Sequence, residues 1–321
     1  MQLKMKKSQN GKSVLDILRG ELALSSSLIT FLKTREDGIQ VNGERVTVRR
    51  ILHEGDMLTL HYEDRDADQN DSIVPVNLPL EIIYKDRDII IVNKPPYMPT
   101  HPSHEHQRDT LANALTYHFQ NAKTPFVFRA VNRLDNHTSG LVMIARNKIS
   151  AQRLYDDMQR GKIKKRYFAV IHGSPSPQSG IIDAPIKRAE DSKMKRIVSE
   201  DGARSVTHYT TLVTNEMYSA VIASPITGRT HQLRVHFSNQ GHAICGDTLY
   251  GYPCEYINRQ ALHAFSLEFP HPSTGERVCV YAPIPTDIYT LCEHVFSFAD
   301  IDRLKGYKGI YDEQHKPSIF D

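Results

Sequence analysis

Tryptophan is absent from this 321-residue chain, and cysteine occurs only at Cys245, Cys254, Cys279 and Cys292, never in a CxxC or CxxH spacing. That pattern speaks against a zinc finger and a disulfide framework, and predicts reduced, mostly buried thiols. No run approaches the roughly 18 apolar residues of a membrane span. The first residues, Met1-Gln2-Leu3-Lys4, have charge but no apolar segment behind them, so no secretory signal is expected and the chain is expected in the cytoplasm. A P-loop, a G-x-G-x-x-G turn and a G-x-S-x-G elbow are all missing, which argues against nucleotide cofactors and a serine hydrolase. The zinc-deaminase signature fails too, because Pro253-Cys254-Glu255-Tyr256 stops short of its second cysteine. His101, His104 and His106 share a loop without a second ligand cluster of matching spacing, so no metal is expected.

What is present suffices for two domains and a sizeable core, with 40% apolar residues. A net charge of +3 permits a polyanionic partner without demanding one. Residues 63–72, rich in acids and free of large apolar side chains, read as a linker that extends to about 77. It separates a small unit at 13–62 from a body at 78–295, and a polar extension, packed on the surface or frayed, follows at 296–321.

In the small unit, Val14, Leu15 and Leu18 fall on one helical face. Ser25 to Ser27 offer an N-cap ahead of Leu28, Ile29, Phe31 and Leu32. Asn42-Gly43 is a type I′ hairpin signal, and Glu54-Gly55-Asp56 marks a second turn before Met57 to Leu60. The order of elements and the two turns resemble the S-four-type RNA-binding module. On such a module Lys33, Arg35, Arg45, Arg49 and Arg50 would meet phosphates.

The body alternates short strands with a few helices. Ile89 to Val92 reads as a buried strand stopped by Pro95 and Pro96. Residues 150–160 read as an amphipathic helix with Ala151, Leu154, Tyr155 and Met158 on one face, closed by Gly161. Strands are expected at 165–171, 206–213, 218–223, 261–269 and 277–281, the last two as a hairpin across 272–275. The fold class expected is α+β, a mixed, largely antiparallel sheet with flanking helices beside a small N-terminal α/β unit.

Three segments carry chemistry. Asp135 lies between Arg133 and a Thr138-Ser139-Gly140 turn that leads into an apolar run. Lys164-Lys165-Arg166-Tyr167 opens a strand. Pro225 to His236 delivers a turn and a helix start, with Gly246 to Gly251 as a turn-rich closure. Singly, each has a plainer reading: a turn-capping aspartate, a core aromatic, a surface cation. Together, in this order, they resemble the RluA-type pseudouridine synthases across roughly residues 80–283, starting at Val92-Asn93-Lys94-Pro95-Pro96. One departure is Asn132, where the family commonly has histidine.

The resemblance implies a cofactor-free RNA isomerase acting on structured ribosomal or transfer RNA, expected as a monomer. It implies Asp135 as catalytic acid, Tyr167 as active-site aromatic and Arg234 as the partner of the aspartate. Arg133 would fill the gap left by a flipped uridine, and Arg229, Thr230, His231 and Gln232 would join it in binding substrate. The chemistry fits those residue types. Moving uracil from nitrogen to carbon on the sugar needs an anion beside the anomeric centre, and aspartate is ionised at neutral pH. A base leaving its stack loses a few kcal/mol, of which an aromatic partner returns about 1–3. A glycosidase would need two flanking carboxylates. The remaining alternative is an RNA-binding protein that has kept the scaffold without turnover.

Overall fold

The computed structural model describes residues 1–65, 72–307 and 309, and the backbone of 318–320. The N-terminal unit is a four-stranded sheet in the order β1 (Gln2–Lys4), β4 (Met57–Leu60), β2 (Ile39–Val41), β3 (Glu44–Arg45). Asn42 and Gly43 take φ of 53° and 85°, the two left-handed positions that a type I′ turn demands. Helix α1 (Val14–Asp16) runs on as a π-turn at Ile17–Glu21, and α2 (Ser26–Thr34) is capped by the Ser25 side chain, which accepts from Leu28 N. Val14, Leu18, Leu28 and Leu32 bury against Val41, Leu58 and Leu60. The unit starts before residue 13, because β1 pairs with β4; a three-residue edge strand is too short to show a period.

The unit is fastened to the body. Ile149 joins its core, and the Gln152 amide bonds Ser25 N and Ala23 O. Asp64, inside the stretch read as a linker, is buried against Arg129 at 2.7 and 2.8 Å. Residues 66–71 of that stretch lie outside the described residues.

The body holds β5 (Glu81–Lys85), β6 (Ile89–Lys94), β7 (Ser139–Ala145), β8 (Lys164–His172) and β9 (Ser179–Asp183). A separate two-stranded ribbon follows as β10 (Ile186–Arg188) and β11 (Arg196–Val198). The large sheet resumes with β12 (Val206–Thr214), β13 (Tyr218–Pro225), β14 (Leu262–Pro270), β15 (Arg277–Tyr281) and β16 (Ser318–Phe320). Its order is β5-β6-β7-β14-β8-β13-β12-β9, with β15 on β14 and β16 on β15. Only β7–β14 is parallel, so the sheet is mixed and largely antiparallel. It forks at a bulge between Ala264 and Ser266: β7 flanks the start of β14 and β15 its end.

Both faces of the sheet are covered, which explains the unbroken apolar runs. Along β6 and β7, Ile90, Val92, Val142 and Ile144 face one core, whereas Ile89, Ile91, Leu141 and Met143 face the other. Helices α3 (Leu111–Asn121), α5 (Gln232–Asn239) and α6 (Thr286–Val295) cover the first face, and α4 (Lys148–Gln159) the second. Tyr155, expected on the buried face of α4, is 61% exposed, and Leu154 supplies the burial instead. The polar C-terminal stretch is more than an extension: α7 (Phe298–Lys305) sinks Ile301 and Leu304 into the core.

Gly140, with φ of 113°, sits where β7 meets β14. A Cβ there would stand 2.3 Å from Ala264 O, so only glycine lets the strands close. One residue before it, Ser139 Oγ is 2.9 Å from His263 Nδ1, while His263 Nε2 is 3.3 Å from Ala282 O. Burial lowers the His263 pKa to about 3, against about 6.5 in an unfolded chain. Between those values the unfolded state holds one proton more, so this residue makes stability fall as pH drops, by about 1.4 kcal/mol per unit. Replacing His263 with glutamine should flatten the pH dependence of urea unfolding between pH 6 and 4.5 by about that slope. Equal slopes in parent and variant would contradict the burial of a neutral imidazole.

Candidate active site

A cleft of about 610 Å³ opens at the turn that precedes β7, within the rough 300–1,000 Å³ span of small-ligand sites. Asp135, Tyr167 and Arg234 line it, as do Arg133, Arg229, Thr230, His231 and Gln232. Three segments distant in sequence therefore converge on one cavity.

The acid turn is held bond by bond. Thr100 Oγ1 donates to Leu134 O and accepts from Leu134 N. Thr138 N closes the turn on Asp135 O at 3.1 Å. The fully buried Lys94 spends its three N–H groups on the carbonyls of Pro95 (2.8 Å), Met98 (2.7 Å) and Asn136 (3.2 Å). Burial, then Arg259, pulls its pKa down to about 7, while Asp135 pushes the other way. Arg259, also buried, donates to His137 O and forks onto Asp287 of α6 at 2.6 and 2.8 Å. The carbonyls of residues 134 to 137 are thus all bound, and the carboxylate of Asp135 is aimed by a fixed backbone.

Opposite stands α5, entered through His231 in a left-handed conformation (φ 58°). Arg234 Nε and Nη2 grip Asp247 at 2.6 and 2.8 Å, which leaves Nη1 for Asp135 Oδ2 at 3.4 Å. Burial alone would lower the guanidinium pKa, but its bonds to Asp247, then the charges of Asp247 and Asp135, outweigh it and hold it raised. Tyr250 stacks its ring under the guanidinium at 5.0 Å, and its hydroxyl is 2.8 Å from His231 Nδ1. His231 Nε2 is 3.9 Å from Asp135 Oδ2. Burial lowers the His231 pKa, partly offset by Asp135, which favours a neutral ring. Among the described residues nothing bonds Asp135 Oδ1, so that oxygen is open to a ligand.

Tyr167 is 8% exposed, and its neighbours across β13 and β14 are Ala223 and Ala264. Small residues on both sides give the ring its place at the cleft wall. Burial, then Asp135, raises its pKa, so the phenol stays protonated. Lys165, two residues earlier, is buried in the same wall, and burial lowers its pKa.

Some expected roles change. The Gln232 amide is spent within the protein: it donates to Val206 O and Thr207 Oγ1 and accepts from Thr227 and Arg229 N. It latches the turn to β12 and offers no free group to a substrate. Arg234 pairs with Asp135, yet its tighter partner is Asp247, a residue that sequence reasoning passed over inside Gly246 to Gly251. Asn132 is buried, bonding Leu141 O and Met143 N of β7, so the departure from histidine serves the strand. Arg133 and Arg229 are exposed at the cleft. Away from the cleft, Asp86, Asp88 and His271 converge. Their polar atoms serve one another, Tyr84, Ser150 and Ser273, tying the β14–β15 turn to the β5–β6 turn.

Because Asp247 is the buried counter-charge of Arg234, removing it strands a cation. Asp247→Ala should lower stability to urea unfolding by about 3–5 kcal/mol. A loss below about 1 kcal/mol would mean that the fork is not what holds α5 to the closing turn.

The comparisons with known proteins agree with this geometry. The RNA pseudouridylate synthase family model matches residues 88–239. The chain is 40% identical over 272 residues to "Uncharacterized RNA pseudouridine synthase YjbO" of Bacillus subtilis, covering 85% of this chain and 95% of that protein. It is 34% identical over 270 residues to "Ribosomal large subunit pseudouridine synthase D" of Pasteurella multocida, covering 79% and 82%. Among solved structures, "Human RNA Pseudouridylate Synthase Domain Containing 4" superposes with a TM-score of 0.56 at 23% identity, over 67% of this chain and 92% of that one, a likeness of fold. With that fold and these relatives, the chain belongs to the RNA pseudouridine synthases, isomerases of uridine in RNA.

Proposed function

We propose that the protein isomerises specific uridines in structured ribosomal or transfer RNA, without a cofactor, through Asp135 acting on a flipped nucleoside. The observation that carries this reading is the state of that carboxylate: one oxygen held by Arg234, the other open to the cleft.

The reaction breaks the bond between uracil N1 and C1′, turns the base and joins C5 to C1′, with the C5 hydrogen leaving as a proton. Attack on C1′ and removal of a sugar proton are the two routes open to the acid, and both need an anion fixed beside the sugar. Arg234 keeps the acid charged and in place. Tyr167 supplies a ring face for the extruded base, returning about 1–3 kcal/mol of lost stacking. Exposed Arg133 is placed to enter the vacated stack, since a planar guanidinium fills such a gap and still reaches a phosphate. Lys165 and Arg229 give the wall positive charge for the phosphates on either side. The name of the Pasteurella relative, which specifies the large ribosomal subunit, supports ribosomal RNA as a substrate.

The N-terminal unit is part of this proposal as an RNA arm. Lys33, Arg45, Arg49 and Arg50 are exposed on it, and its order of helices and hairpin turns fits an S-four-type module.

Asp135→Asn should cut tritium release from RNA labelled at uracil C5 by at least about 10³-fold, with filter-binding affinity within about threefold of the parent. A variant that still turns over, or that loses binding to the same degree, contradicts a catalytic role. Replacing Arg45, Arg49 and Arg50 with glutamine should weaken RNA binding and reduce the slope of log K against log salt by about two. An unchanged slope removes the arm from the account.

A further inference from the structure

Tyr97 and His137 flank the acid turn on its outer side, and the chemistry above leaves both unused. Tyr97 is 55% exposed and holds φ of 62°, a left-handed conformation that bulky residues rarely adopt. Its cause is visible. The buried Lys94 ammonium gathers the carbonyls of Pro95 and Met98, which curls the chain between them and turns the Tyr97 ring outward. The same ammonium holds Asn136 O, so one cation fixes the segments on which both rings ride. The ring centroids of Tyr97 and His137 are 5.0 Å apart, inclined by 56°. Strain of this kind is ordinarily offset by packing, yet the fold leaves the Tyr97 ring open to solvent.

We propose that Tyr97 and His137 form a stacking platform for a nucleobase of the RNA strand next to the target uridine, a role that rests on Asp135 acting as the catalytic acid. Continuity with the cleft argues for that occupant, because His137 is the third residue of the turn that Asp135 begins. Charge argues for it as well. Arg133 is exposed on the same segment, and Lys94 and Arg259 lie beneath it, so the rim favours a phosphate-bearing strand over an acidic peptide. Burial, then the cations Arg234, Lys94 and Arg259, lowers the His137 pKa, leaving a neutral aromatic face at physiological pH. Every base presents a π-face, so such a platform adds affinity and orientation without reading sequence.

The test uses the full chain and total RNA labelled with tritium at uracil C5, taken from cells that lack the gene. Tyr97→Ala and Tyr97→Gly should each raise the half-saturating RNA concentration about tenfold, the scale of one lost stack. The single-turnover rate at saturating enzyme should stay within about twofold, and Tyr97→Phe should return near the parent, because the ring and not the hydroxyl does the stacking. His137→Ala should show the same pattern more weakly. Glycine relieves the left-handed strain, so Tyr97→Gly should unfold at or above the parent temperature, and its weaker binding is then not a folding defect. Parent-like RNA affinity in Tyr97→Gly, or a loss confined to the saturated rate, overturns the platform. Filter binding of the same RNA decides the platform even without turnover. A parent that releases no tritium, or an Asp135→Asn variant as active as the parent, overturns the catalytic reading instead.

Discussion

One guanidinium joins the parts of this molecule that matter for its chemistry. Arg234 projects from α5, grips Asp247 in the closing turn with two donors and reaches Asp135 with a third. A buried charge without a partner is expensive, so Asp247 makes the arginine tolerable in the core. The arginine in turn lets a carboxylate stay ionised at the cleft wall. Because Asp247 holds the shorter bonds, the contact to Asp135 is the weaker one, and the acid keeps an open oxygen. Were Asp135 the bidentate partner, it would be saturated and of little use to a substrate.

The same logic fixes the acid from behind. Lys94 and Arg259 are cations buried against carbonyl oxygens, and both are anchored in other elements: Lys94 ends β6, and Arg259 is forked to α6. Burying two ammonium-type groups for the sake of four peptide carbonyls is costly unless placement of those peptides is what the site requires. A turn pinned this way loses little entropy when RNA arrives, which leaves binding energy for extruding a base. The curl that Lys94 imposes on residues 95–98 is a by-product with its own consequence, since it turns the Tyr97 ring toward solvent.

Much of the fold was legible because local chemistry and tertiary context agree. The Asn42-Gly43 turn, the Ser25 cap, the β14–β15 hairpin and the limits of β15 follow from turn residues and period alone. The candidate site was legible as a set of motifs: Asp135, Tyr167 and Arg234 share one cleft. What stayed hidden depends on third neighbours. Periodicity put Tyr155 on the buried face of α4, but that side of the helix ends at the cleft rim, where an exposed ring is tolerated. Gln232 is polar in a motif that touches substrate, and nothing local reveals that β12 consumes its amide. Asp247 looks like a turn aspartate, and only the approach of α5 gives it a buried arginine. Lys94, flanked by Asn93 and Pro95, reads as a strand end; that three carbonyls meet its ammonium is a property of the assembled turn.

The claim that most needs a direct test is that this pinned, arginine-held acid faces the sugar of a uridine drawn out of its helix. The decisive measurement is a structure of the Asp135→Asn variant bound to the shortest RNA from which the parent releases tritium. The account predicts the target uracil out of the helical stack, its ring against Tyr167, and its C1′ within van der Waals reach of the residue-135 amide. A uridine still paired and stacked in its helix, or one lodged away from the Arg234–Asp247 fork, would contradict it.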